Sequence, residues 1–177
     1  TTKDKTYVGF EGGTIIGCHL DATGNEIYIG NNRNEAGQNS QTNLTIANIR
    51  ISGTPATKTT PIVVENLQSA VTKITHINIS GIVGVFAPTN TTQDLVRLTG
   101  GAGSGGLSDI NVSNLNGGGV TTPLRSLLRV EGAGNLRITT SLIPAGENVL
   151  FPISDSSGLV PLPRIILTAP LTIFVNP

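Results

Sequence analysis

The stretch VTKITHINISGI, residues 71–82, alternates isoleucine with threonine, histidine, asparagine and serine, and its reading decides the fold. A period of two describes a strand with one dry face and one wet face. Similar stretches lie on either side: TNLTIANIRISG (42–53), LSDINVSNL (107–115) and NLRITTSLI (135–143). Ahead of three of them stands a Thr-Thr step into a second apolar run: TTPIVVEN (59–66), TTQDLVRL (91–98) and TTPLRSLLRV (121–130). EIYIGNN (26–32) takes that place before the first. Paired strands returning at intervals of roughly 30 residues, with corners of drifting length, are the signature of a solenoid. An antiparallel sandwich predicts strands joined by hairpins at much shorter spacing and gives no reason for so long a period. The expected fold is therefore all-β, a parallel β-helix of about four to five coils over residues 1–143.

Composition agrees with that class. Isoleucine, valine and threonine suit a pleated surface, and 22 glycines supply tight corners. No window carries helical apolar spacing free of glycine and proline. Eleven basic residues balance eleven acidic ones, and with charged residues at 12% there is no basic field to hold phosphates. Nucleic acid is not an expected partner. No uninterrupted apolar run is long enough to span a bilayer, so no membrane insertion is expected. Cys18 is alone and reads as a small buried hydrophobe rather than a reactive thiol. The chain opens TTKDKTYVGF, without an initiator methionine or a signal peptide, as an excised or processed part of something longer would. No metal-ligand spacing or cofactor motif is present. GGAGSGG (100–106) lacks the Lys-Ser/Thr ending and the following helix of a phosphate loop, and reads as a glycine corner.

From Pro144 onward six of the ten prolines occur, and proline is excluded from central ladder positions. Yet RIILTAPLTIFV is too apolar to face water. Residues 144–177 are therefore expected to form a non-solenoid C-terminal β segment that either caps its own chain or, the favoured reading, is used for oligomerisation by packing against copies of itself. Ile165, Ile166, Leu167, Leu171, Ile173 and Phe174 would otherwise leave an exposed patch rare on monomers.

Stacking the blocks predicts columns. Ile49, Ile77 and Ile110 are expected in one inward file, with Leu136 following. Asn48, His76, Asp109 and Asn135 are expected in one outward column, and Val64, Val96 and Leu128 are matched in the other strand. His76 beside Asp109 suggests a general acid/base pair on a groove floor, or else a hydrogen-bonded surface ladder. Glu65, Arg97 and Arg129 share a further column, where Glu65 with Arg97 reads as a cross-rung ion pair.

KTYVGFEGGTIIGCHLDATGNEIYIG followed by TNLTIANIRISG resembles the pectate-lyase-like superfamily of right-handed parallel β-helices. The matching residues are Lys5, Thr6, Gly9, Ile15 and Gly17, then Asn43, Thr45, Ile46, Asn48, Ile49 and Ile51. With a neutral Thr/Asn/Gly-rich chain and an apolar, proline-rich C-terminal segment, the sequence is similar to the distal part of bacteriophage tailspikes and tail fibres. That resemblance implies a homotrimer in the virion tail, an extracellular location, and recognition of bacterial surface polysaccharide. It also implies, as the alternative, a depolymerase that hydrolyses or eliminates glycosidic bonds. The calcium-binding aspartates and catalytic arginine of pectate lyases have no counterpart here. Under the binding reading, Asn48, Arg50, His76, Asn78, Asn111 and Arg137 would line the glycan surface. Under the enzyme reading, Asp94, Asp109 and His76 would act, the two aspartates flanking the glycine corner. Glycoside hydrolysis needs two carboxyls at fixed separation, and the predicted columns bring no two together within one subunit, which leaves a site between subunits. Ice binding would need regular Thr-x-Thr columns, and the Thr-Thr pairs fall in return loops instead.

Overall fold

Short Ile/Val/Leu runs separated by Gly, Asn and Pro form strands that need crossovers to pair in parallel. The computed structural model describes residues 11–21, 27–31, 41–53, 60–66, 74–85, 87, 93–100, 107–131, 136–141, 148–155 and 165–167. The elements are β1 (Glu11–Ile16), β2 (His19–Asp21), β3 (Ile27–Asn31), β4 (Gln41–Ser52), β5 (Ile62–Asn66) and β6 (Ile74–Gly84). They continue as β7 (Asp94–Gly100), β8 (Leu107–Asn116), β9 (Leu124–Glu131), β10 (Leu136–Ser141), β11 (Val149–Asp155) and β12 (Ile165–Leu167). No helix occurs among the described residues, and the fold is all-β.

Every strand pairing is parallel. One sheet runs β1-β4-β6-β8-β10-β12, with β2 also on β4; the other runs β11-β9-β7-β5-β3. From β3 on, the chain visits the two sheets in turn. Residues of both sheets merge into one apolar cluster. In the first sheet Leu44, Ile77 and Ile110 form one file, Ile46, Ile79 and Val112 a second, and Ile49, Ile82 and Leu115 a third. In the second sheet Ile62, Val96 and Leu128 align, as do Val64, Leu98 and Val130. All of these are buried. Each such side chain contributes about 1.5–3 kcal/mol through its removal from water.

The long strands of the first sheet turn twice. Gly12, Asn43, His76 and Asp109 occupy one column with φ of 88°, 59°, 56° and 54°. Gly17, Asn48, Gly81 and Asn114 occupy another, with φ of 69°, 55°, 64° and 52°. The left-handed conformation costs most L-residues about 1–2 kcal/mol, and Gly, Asn, Asp and His tolerate it best. Each such residue bends the strand and resets the alternation, so inward positions run Leu44, Ile46, then Ile49, Ile51. Gly81 has a second reason to be glycine: a Cβ there would stand 2.7 Å from Asn48 Oδ1.

These bends correct the expected columns. Ile49 does not stand in file with Ile77 and Ile110; Leu44 does, and Ile49 belongs with Ile82 and Leu115. Leu136 pairs with Leu107, and Ile138 with Ile110. Asn48 is likewise not in the His76–Asp109 column, where Asn43 stands instead. The physical reason is that each strand contains a left-handed residue followed by an apolar-x-apolar step twice over, so Asn43-Leu44 and Asn48-Ile49 compete for the same match. The true offset from β4 to β6 is 33 residues. In the second sheet Val96 and Leu128 align as expected, whereas Val64 is opposite Leu98.

β11 pairs with β9 and β12 with β10. Pro152 is accommodated because β11 is the edge strand of its sheet. Leu171, Ile173 and Phe174 lie outside the described residues, as do Lys5, Thr6, Gly9, Asn135 and positions 101–106. Cys18 is half-buried rather than buried, packed at the margin of the core with its thiol 3.6 Å from the Ile16 carbonyl oxygen.

Candidate functional site

The first corner column places His76 on the outer face of the first sheet, between Asn43 and Asp109. Its side chain is 60% exposed and that of Asp109 40%. His76 Nε2 lies 3.8 Å from Asp109 Oδ2, an ion pair when the imidazole is protonated. On the other side of the ring, Nδ1 is 2.9 Å from Thr75 Oγ1 and 3.3 Å from Thr42 Oγ1. The Thr75 hydroxyl also donates to Thr42 Oγ1 at 3.3 Å. A ring held between hydroxyls and a carboxylate has the parts of a proton relay. It also has a sufficient structural cause, because every residue of this column adopts a positive φ.

The corner role and the chemical role separate experimentally. His76→Asn is expected to keep the stability of the parent in a urea titration, since asparagine accepts the left-handed conformation. His76→Val is expected to lose about 1–2 kcal/mol. Equal stability of the two variants would show that the bend does not constrain this position.

Beyond the bend the outer face carries an uncharged polar row of Thr45, Asn78 and Asn111, and next to it Ser80 and Ser113 in register with the buried Ala47. Asn78 and Asn111 are thus brought together on neighbouring strands, as are His76 and Asp109. Asn48 stands in the second corner column beside Gly81, and Arg50 lies past that corner, exposed, in register with His19 and Val83. Arg137 falls in β10 at the register shift between Leu136 and Ile138, and its side chain lies outside the description.

Asp94 is elsewhere. It starts β7 in the second sheet, is 0% exposed, and has both carboxylate oxygens engaged. Arg125 Nε donates to Oδ1 at 2.9 Å, Ser126 Oγ donates to Oδ1 at 2.6 Å, and Arg125 Nη2 bonds Oδ2. The Asp94 hydrogen bond raises the pKa of Arg125 above its ordinary value, against the lowering effect of burial, with the charges of Asp94 and Glu131 adding to the rise. A guanidinium so raised stabilises the fold at neutral pH, and that contribution fades in strong alkali. So placed, Asp94 reads as part of an internal ion pair and is not presented to a substrate.

The second sheet adds Tyr28, Glu131 and Ser154 to the Glu65, Arg97 and Arg129 that the sequence placed in one column. The Glu65–Arg97 pair forms, with Arg97 Nη2 3.9 Å from Glu65 Oε2, but diagonally: Glu65 is opposite Gly30 and Thr99, while Arg97 is opposite Val63 and Arg129. Tyr28 donates its hydroxyl to Glu65, Arg129 donates to Glu131, and Arg129 Nη1 reaches Ser154 Oγ at 3.3 Å. The available signal was Glu131 two residues beyond Arg129, in a run where period-two alternation puts both on one face.

Among the described residues no group of three His, Cys, Asp or Glu side chains is placed to hold a metal ion, and no helix is long and apolar enough to cross a membrane. Compared with protein-family models, curated proteins and solved structures, the chain matches none.

Proposed function

We propose that the chain is a right-handed parallel β-helix from a bacteriophage tail protein, a tailspike or fibre, that binds bacterial surface polysaccharide as a homotrimer. The alternation of the chain between two parallel sheets supports the β-helix reading. Its right hand follows from the chirality of crossovers between parallel strands. The observation that carries the binding role is the uncharged row of Thr45, Asn78 and Asn111 beside His76 and Asp109. Amides and hydroxyls repeating at the strand spacing of about 4.8 Å offer donors and acceptors to an extended chain of sugar hydroxyls. Asn111 is exposed and Thr45 and Asn78 are half-buried, which leaves part of each group open to exchange water for glycan.

A depolymerase is the second reading, favoured by the position of His76 between Asp109 and the Thr75 hydroxyl. The burial of Asp94 removes one of the two carboxyls on which hydrolysis was expected to depend. Incubation with capsular and O-antigen polysaccharides separates the readings. Binding in a sedimentation assay without new reducing ends or unsaturated products is expected. Product release abolished by Asp109→Asn or His76→Asn would establish the enzyme, and no retention of any polysaccharide would remove both. Light scattering is expected to give three times the chain mass, and a stable monomer would refute the trimer.

A further inference from the structure

We infer that the outer face of the second sheet holds a subsite for one uncharged sugar ring, formed by Tyr28, Glu65, Arg97 and Thr99. The inference rests on the glycan-binding reading but places a contact on a different face from the His76 column.

The first observation is a pair of orphaned polar atoms. Arg97 Nε and Thr99 Oγ1 are buried and have no hydrogen-bond partner in the protein, and Thr99 is only 8% exposed. Leaving such a group unmet costs about 1–3 kcal/mol, which a ligand recovers once the partly exposed Arg97 side chain turns to admit it. They lie two residues apart on one face of β7, opposite in direction to the core residues Val96 and Leu98. An N–H beside a hydroxyl suits a group that both accepts and donates, which a sugar hydroxyl does.

The second observation is the aromatic group beside them. Tyr28 is 43% exposed, in register with Val63 on β5, itself in register with Arg97. Its ring lies along its own strand over Gly30, where a Cβ would overlap the ring, and its hydroxyl reaches Glu65. Glycine at position 30 therefore leaves room for the ring. A half-exposed ring next to hydrogen-bonding groups offers the C–H face of a sugar a surface to stack on.

The third observation fixes the charge of the ligand. Arg97 and Arg129 are neighbours in register, and each is matched by a carboxylate, Glu65 and Glu131 respectively. The face is neutral in sum. A uronate or phosphate would meet no uncompensated cation and would approach two carboxylates, so a neutral hexose or deoxyhexose is the ligand class.

The test is a titration of isotope-labelled full chain with methyl α-D-glucopyranoside, methyl α-D-galactopyranoside and methyl α-L-rhamnopyranoside, with methyl glucuronide as the acidic comparison. Saturable amide shifts at Gly30 and Thr99 are expected with at least one neutral probe and not with the glucuronide. Thr99→Val should weaken binding about tenfold, the loss of one good hydrogen bond, while Thr99→Ser retains it. Unchanged binding by Thr99→Val, or equal binding of the glucuronide, overturns the inference. Shifts confined to the His76 and Asn78 face would overturn it while leaving the glycan reading intact. Shifts nowhere would remove this subsite, and retention of polysaccharide would then decide the broader reading separately.

Discussion

Arg125→Met is expected to lower the free energy of unfolding by about 3 kcal/mol, because it leaves the Asp94 carboxylate buried without its cation. Asp94 is fully enclosed, and Ser126 alone can supply only one hydrogen bond to it. Urea unfolding followed by circular dichroism measures the loss as a fall in midpoint at unchanged slope. The double variant Asp94→Leu/Arg125→Met is expected to recover most of the loss, since replacing both members of a buried pair by apolar groups is often close to neutral. An Arg125→Met protein within 1 kcal/mol of the parent would show that Asp94 is solvated after all, and would return it to the candidates for chemistry.

Ile77→Ala is expected to cost about 3 kcal/mol and Ile77→Val about 1 kcal/mol, the graded response of a close-packed site from which methyl groups are removed. Ile77 is 0% exposed and lies in file between Leu44 and Ile110. Double variants test the register directly. Leu44→Ala with Ile77→Ala should depart from additivity by at least 0.5 kcal/mol, because the two side chains are neighbours. Ile49→Ala with Ile77→Ala should combine additively or nearly so. The reverse pattern would restore the file of Ile49, Ile77 and Ile110 and overturn the offset of 33 residues.

What was legible in the sequence is what alternation encodes. Ile77 and Ile79, Ile110 and Val112 point inward, and the His76–Asp109 and Asn78–Asn111 neighbours follow from aligning two blocks of equal length. What was not legible is what breaks alternation. Asn43 and Asn48 look alike in the sequence and each precedes an apolar-x-apolar step, so only the backbone torsions show that there are two corners and not one. Glu65 was placed two positions out because the returns between strands differ in length, and apolar pattern alone cannot choose between registers that keep the same face inward. The enclosure of Asp94 was hidden for a different reason. Its partners Arg125 and Ser126 are remote in sequence, and TTPLRSLLRV gives no sign that its first arginine turns toward β7.

The equal step from β4 to β6 and from β6 to β8 has a genetic corollary. Duplicating the codons for Thr75–Leu107 would add one strand to each sheet, the copy of β6 keeping the 33-residue step both to its original and to β8. Each sheet could thus widen or narrow across its strands in increments of about 4.8 Å, a ruler set by copy number.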